Sequence, residues 1–160
     1  MNALAVILGF DISPRRIAMA SIDLDSERII TTAISTIPTD DDLRERRNSI
    51  KAMVDEVRKI SDIAAIFVED AYPGAFKATI VPHAISVGHC EAFLLERDTN
   101  TLVMRLAPST WRKEAQLPQH GKEPVLEWAK TKINKQITQD EADAIGIATA
   151  GLALYNRGTK

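Results

Sequence analysis

The sequence predicts an α/β fold: a mixed five-stranded sheet, three antiparallel strands and then two parallel ones, with helices on both faces. Three observations carry this. The chain opens on a nearly continuous apolar run, residues 3–10, the pattern of a central strand buried on both faces. Two β-rich segments follow across short polar links. Only then does the pattern change to alternating helices and strands, giving the order βββαβαβααα. At 160 residues one domain, 1–160, is expected, and no linker or repeat divides it.

Each element has its own signal. Ser13-Pro14-Arg15 links the first strand to a second at 17–24, and Asp25-Ser26-Glu27 links that to a third at 28–37. Both links are short and polar, as antiparallel neighbours require. Thr39 offers an N-cap, Asp40, Asp41 and Asp42 suit the positive end of a helix dipole, and Leu43, Ile50, Met53, Val54, Val57 and Ile60 repeat at helical spacing as far as Ser61. Residues 63–68 are a short apolar run ending in Glu69-Asp70 and a loop that contains Tyr72, Pro73 and Gly74. A second helix, 78–97, tolerates Pro82 only in its first turn. A fifth strand at 101–106, a short helix at 108–115, a loop at 116–121 and an amphipathic helix at 123–133 follow. The last helix has the clearest start: Thr138-Gln139-Asp140-Glu141 fits a capping box, in which threonine and glutamate satisfy each other's free amides.

Composition excludes several classes. Apolar residues make up 45% and charged ones 26%, which rules out a disordered chain or a disulfide scaffold. Cys90 has no partner cysteine, and three scattered histidines argue against a zinc site. No apolar run reaches the roughly 18 residues that a membrane span needs, and residues 1–10 lack the basic start and cleavage site of a signal peptide. The expected setting is cytoplasmic, in a bacterium or in the host of a phage, with no membrane partner. The net charge of −2 has the wrong sign for a nucleic-acid partner, but it hides its distribution. Residues 1–70 carry 9 basic and 13 acidic side chains, whereas residues 105–135 carry 7 basic and 3 acidic.

Four carboxylates stand out by position. Asp11 and Glu69 end the first and fourth strands; if these are parallel neighbours, their exits lie about 4.8 Å apart. Asp140 and Asp143 fall at i and i+3 at a helix start, with Cβ atoms about 5–6 Å apart. Two like charges at ~4 Å repel by about 4 kcal/mol at an effective dielectric of about 20, so such a cluster calls for divalent cations or raised pKa values. Oxygen-only ligands suit Mg²⁺ or Mn²⁺, and two such ions can drive phosphodiester hydrolysis. Taken singly, an aspartate after a strand is a turn or cap residue, and D-x-x-D at a helix start is capping.

The segments ILGFDIS, IAAIFVED and DEADAIGIA, spaced 58 residues from Asp11 to Glu69 and 71 from Glu69 to Asp140, resemble the RuvC-like Holliday junction resolvases of the RNase H-like superfamily. The resemblance covers nearly the whole chain. It implies an RNase H-like fold, two Mg²⁺ ions, replaceable by Mn²⁺, on Asp11, Glu69, Asp140 and Asp143, and a homodimer that nicks opposed strands of a four-way DNA junction. It also implies a basic catalytic side chain at Lys122 and an aromatic stacking on the junction at Tyr72. Arg15 and Arg16 beside Asp11, with Arg112, Lys113 and Lys122 in the basic segment, are the candidate phosphate contacts. Two departures stand out. Ile12-Ser13-Pro14 follows the first aspartate where the family commonly has proline directly, and SVGHCEAF replaces the usual glutamine-and-glycine pattern on the second helix. The competing readings are an RNase H-like nuclease acting on RNA or RNA/DNA hybrids, for which Glu45 is the available helix ligand, and a junction-binding protein without catalysis.

Overall fold

The computed structural model describes residues 4–39, 42–71, 77–97 and 100–158. Its elements are β1 (Ala5–Ile12), β2 (Arg16–Asp23), β3 (Ile29–Thr36), α1 (Leu43–Arg58), β4 (Asp62–Glu69), α2 (Lys77–Arg97), β5 (Leu102–Leu106), α3 (Pro108–Glu114), α4 (Glu123–Lys130) and α5 (Gln139–Gly158). The five strands form one sheet in the order β3-β2-β1-β4-β5. β1, β2 and β3 pair antiparallel, and β4 joins β1 and β5 in parallel. This is the expected mixed sheet, with the apolar first strand at its centre. Among the described residues no helix is long and apolar enough to cross a membrane.

Side chains alternate across β1, and each face meets its own helices. Val6, Leu8 and Phe10 pack with Ile50, Val54 and Val57 of α1 and Val87 and Phe93 of α2. Ile7 points the other way, into a core with Ala144, Ile145 and Ala148 of α5, Trp111 of α3 and Val125 of α4. Gly9 shares the Ile7 face. A Cβ there would stand 2.5 Å from the Ala144 carbonyl oxygen and closer still to the Ala148 nitrogen. Only glycine lets the α5 backbone rest directly on β1.

The structure moves several boundaries. β1 continues through Asp11 to Ile12, because the ladder with β2 runs on through Asp11↔Ala18 and Ile12↔Ile17; Asp11 therefore lies inside the strand. The α1 N-cap is Asp42 and not Thr39: its carboxylate accepts the Glu45 N–H at 2.9 Å, a stronger cap than threonine offers. Asp40 and Asp41 lie outside the described residues. Pro82 falls at the sixth position of α2, past the first turn expected for it. Its ring removes the N–H due to the Ala78 carbonyl, and the Ser86 hydroxyl donates to the Pro82 carbonyl at 2.8 Å. α4 stops at Lys130, short of residue 133, where the Thr131 hydroxyl donates to the Trp128 carbonyl at 2.6 Å.

Gly9→Ala is expected to lower stability by about 3 kcal/mol in urea unfolding, since the new methyl meets backbone that cannot rotate away.

Candidate active site

The two-residue period of the strands decides which face carries the acids. Asp11 follows Ile7 and Gly9 on β1, and Glu69 follows Ala65 and Phe67 on β4; Ile7, Ala65 and Phe67 all belong to the α5 core. The last parallel register pair is Phe10↔Val68, so Asp11 and Glu69 sit one step beyond it on neighbouring strands. α5 brings the other pair to this face. Its capping box forms as expected: the Thr138 N–H donates to Glu141 Oε2 at 2.8 Å and the Glu141 N–H donates to Thr138 Oγ1 at 3.2 Å. Glu141 is buried and also accepts the Thr32 hydroxyl at 2.7 Å, which ties the helix start to β3. The cap thereby fixes where Asp140 and Asp143 stand.

The four acids act on one another. Burial first, then Glu69, Asp143 and Asp140, hold the Asp11 carboxyl well above the ordinary range, against the pull of Lys122. Burial pushes Glu69 up to about 7; the Trp111 indole N–H, Arg112 and Lys122 oppose that rise and Asp143 adds to it. Asp143 is raised by burial and by Asp140, opposed by the Gln139 amide, 3.0 Å from its Oδ1, and by Arg112 and Lys122. Asp140 is held by Arg16, 3.0 Å from its Oδ2.

The remaining sequence-derived candidates fare differently. Lys122 is exposed at the N-cap of α4, and its charge reaches three of the four acids. Arg112 donates to the Pro118 and Gly121 carbonyls at 3.0 and 2.9 Å, so it anchors the loop leading to Lys122. Lys113 is exposed in the last turn of α3. Arg15 donates to the Ile37 carbonyl at 3.0 Å. Arg16, expected as a phosphate contact, is engaged with Asp140. Tyr72 lies outside the described residues. Glu45, the ligand a ribonuclease H reading needs, is exposed in the first turn of α1.

Sequence reasoning missed two residues. Trp111 donates its indole N–H to Glu69 Oε2 at 2.5 Å. The signal was present: a tryptophan on the inner side of a short helix has one donor that needs an acceptor. Arg46 is fully buried and donates to the Pro14 carbonyl at 3.1 Å, bracing the turn after Asp11. It sat unnoticed in a charged run.

The donor chemistry fits a hard divalent cation: four carboxylates, no thiolate and no imidazole. Among the described residues no group of three or more His, Cys, Asp or Glu side chains is already drawn together tightly enough to hold an ion.

Solved structures share this architecture. Thermus thermophilus RuvC in complex with a Holliday junction substrate superposes with a TM-score of 0.74 at 16% identity, over 97% of this chain and 97% of that one. The chain has the fold of the RuvC resolvases. Another Thermus thermophilus RuvC structure gives 0.69 at 18% identity over 96% and 97% of the two chains. The yeast mitochondrial Holliday junction resolvase gives 0.52 at 13% over 98% and 83%. No protein-family model matches the sequence, and no curated protein matches it. The RuvC fold is therefore held here by residues that differ at most positions.

The raised acids make stability pH-dependent. Glu69 binds its proton more tightly folded, at about 7, than its ordinary 4.5, so the folded chain carries the extra proton across that interval and loses stability as pH rises through it. Asp11 acts in the same direction. In EDTA the thermal midpoint should fall between about pH 5 and about pH 8, Asp11→Asn should flatten that slope, and Mg²⁺ should raise the midpoint most at the alkaline end. Differential scanning calorimetry reads all three.

Proposed function

We propose that this chain is a divalent-metal-dependent, structure-selective endodeoxyribonuclease that cuts four-way junctions and related branched DNA in recombination or repair. The observation that carries the reading is the meeting of Asp11, Glu69, Asp140 and Asp143 on the α5 face of the sheet, with Lys122 acting on three of them. The fold adds support, since one structural neighbour is in complex with a Holliday junction substrate and another is a Holliday junction resolvase. We read the whole of 1–160 as one nuclease domain working in a bacterial cytoplasm, or in that of a phage host.

In this reading the four carboxylates hold two Mg²⁺ ions, with Mn²⁺ as a substitute. Such ions activate water and stabilise the leaving oxygen of a phosphodiester. The chain's own residues do the rest. Lys122 is exposed and close enough to the acids to meet the phosphate being cut. Arg112 keeps the 118–121 loop in place and so keeps Lys122 near them. Arg16 neutralises Asp140 until DNA or metal competes for it. Lys113 and Arg15 extend the positive surface, and Tyr72 is the residue proposed to stack on the junction.

The reading includes a homodimer, and α2 supports it. Val81, Ile85 and Leu95 are 61%, 57% and 47% exposed, far more than apolar side chains of a packed helix. With Gly88 and the exposed Ala92 they recur at alternating intervals of four and three, the spacing of a helix–helix seam. Among the described residues a Cβ on Gly88 would meet only Arg105 Nη2, at 3.8 Å, which leaves room for the close approach of a second helix. A second copy supplies the two active sites that paired cuts across a symmetric junction need.

Labelled four-way junctions, forks, flaps, linear duplexes and RNA/DNA hybrids, offered in Mg²⁺, test the activity. Symmetric paired nicks in four-way junctions are expected, and hybrid-only cutting would replace this reading with a ribonuclease. Asp143→Asn should reduce cleavage by three orders of magnitude or more and leave junction binding in Ca²⁺ intact; uncut DNA with the unaltered chain and unchanged binding would mark a purely architectural protein. Sedimentation of Ile85→Glu should show a monomer where the unaltered chain sediments as a dimer.

A further inference from the structure

We propose that Trp111 is a positioning residue for Glu69, its indole N–H holding one carboxylate oxygen so that the other is kept for the divalent cation; this rests on the metal-dependent reading above. The side chain is 1% exposed, and its single polar atom is spent on Glu69 Oε2 at 2.5 Å. Packing alone needs no donor: phenylalanine would occupy much of the slot without one. A buried indole N–H left unpaired is unfavourable, so its direction is fixed by where its acceptor lies.

The ring has little freedom to point elsewhere. On one side lies Gly146 of α5, where a Cβ would stand 2.6 Å from Trp111 Cζ3 and 3.1 Å from Cε3. On another, the Arg112 guanidinium lies 5.1 Å from the ring centroid. The backbone is anchored as well, since the Trp111 N–H donates to the Ala107 carbonyl at 3.0 Å and its carbonyl accepts the Ala115 N–H at 2.9 Å.

Gly146 follows Asp143 by three residues on α5, and therefore lies on nearly the same face of that helix. The helix that presents Asp140 and Asp143 thus also seats the ring that holds Glu69. One packing contact, Gly146 against Trp111, thus couples the β4 acid to the helix that carries the α5 acids. Hydrogen-bond partners of ligating groups typically carry about 10-fold to 100-fold in metal affinity, and Trp111 stands in that relation to Glu69.

The test uses the full chain. In ¹⁵N-labelled protein titrated with MgCl₂, the Trp111 indole resonance should shift and saturate, while that of Trp128 stays still. Calorimetry with MnCl₂ should show affinity falling about tenfold in Trp111→Phe and in Gly146→Ala, which keeps the donor and displaces the ring. Glu69→Gln is the control. If Glu69→Gln weakens Mn²⁺ binding and a folded Trp111→Phe does not, the positioning role is overturned and the nuclease reading stands. If Glu69→Gln changes nothing, the metal site itself is wrong. Should Trp111→Phe fail to fold, an indole resonance that ignores Mg²⁺ in the unaltered chain overturns the role by itself.

Discussion

The structure depends on a contact between two backbones. α5 lies against β1 at Gly9 with no side chain between them, and Ala144 and Ala148 are the helix residues that meet it. Ordinary helix-on-sheet packing keeps the two layers about 10 Å apart by interposed side chains. Removing those side chains brings the helix axis inward, and the first turn of α5 with it. Asp140 and Asp143 there act on Asp11 of β1, and Asp143 on Glu69 of β4 as well. The same helix makes two more close approaches, Gly146 against Trp111 and Gly151 against Phe67. Ala144, Ala148 and Gly151 form one small-residue face that sets the distance of the helix from the sheet, while Gly146 faces Trp111 of α3.

That closeness creates an electrostatic problem, which the surrounding residues limit without removing. Burial raises Asp11, Glu69 and Asp143, and the acids raise one another further. Against this the fold deploys two neutral donors, Trp111 and the Gln139 amide that serves Asp143, and three cations at different depths. Trp111 serves Glu69 from inside the core, Arg112 and Lys122 act from α3 and the start of α4, and Arg16 reaches Asp140 from β2. Arg16 is 60% exposed and Asp140 26%, so their ion pair is solvent-screened and contributes little to stability. An exposed pair of that kind exchanges partners readily, whereas the indole of a buried tryptophan does not.

Much of this was legible from residues alone, and for specific reasons. A continuous apolar run followed by an acid identifies a central strand and a candidate residue beside it; β4 ends on Glu69 as that pattern implies, whereas β1 runs one residue past Asp11. The capping box identified the α5 start to the residue, because reciprocal bonds between Thr138 and Glu141 are a local pattern. What escaped was non-local. The Arg16–Asp140 pair joins residues 124 positions apart, and Trp111–Glu69 joins residues 42 apart. No periodicity encodes such partners; they follow only once the sheet order is known. The α1 cap failed for a smaller reason, since four consecutive cap-forming residues, Thr39 to Asp42, leave the choice to the exact entry of the chain.

The net charge of −2 illustrates how far a sum can mislead. Four of the acids it counts stand together on one face, two of them from strands and two from one helix turn. Glu69, with its carboxyl pushed up to about 7, is only partly ionised near neutrality, and Asp11 is held well above the ordinary range by burial and then by its acidic neighbours. The working charge of that face is therefore less negative than the formal one even before any cation binds. The basic side chains of 105–135 are unevenly committed: Lys130 pairs with Glu127 and Lys135 with Glu141, while the charges of Arg112 and Lys122 act on the acids. Charges of both signs thus converge on the end of the sheet where β1 and β4 finish. The local field there follows the protonation of those acids and the placement of those cations, not the total.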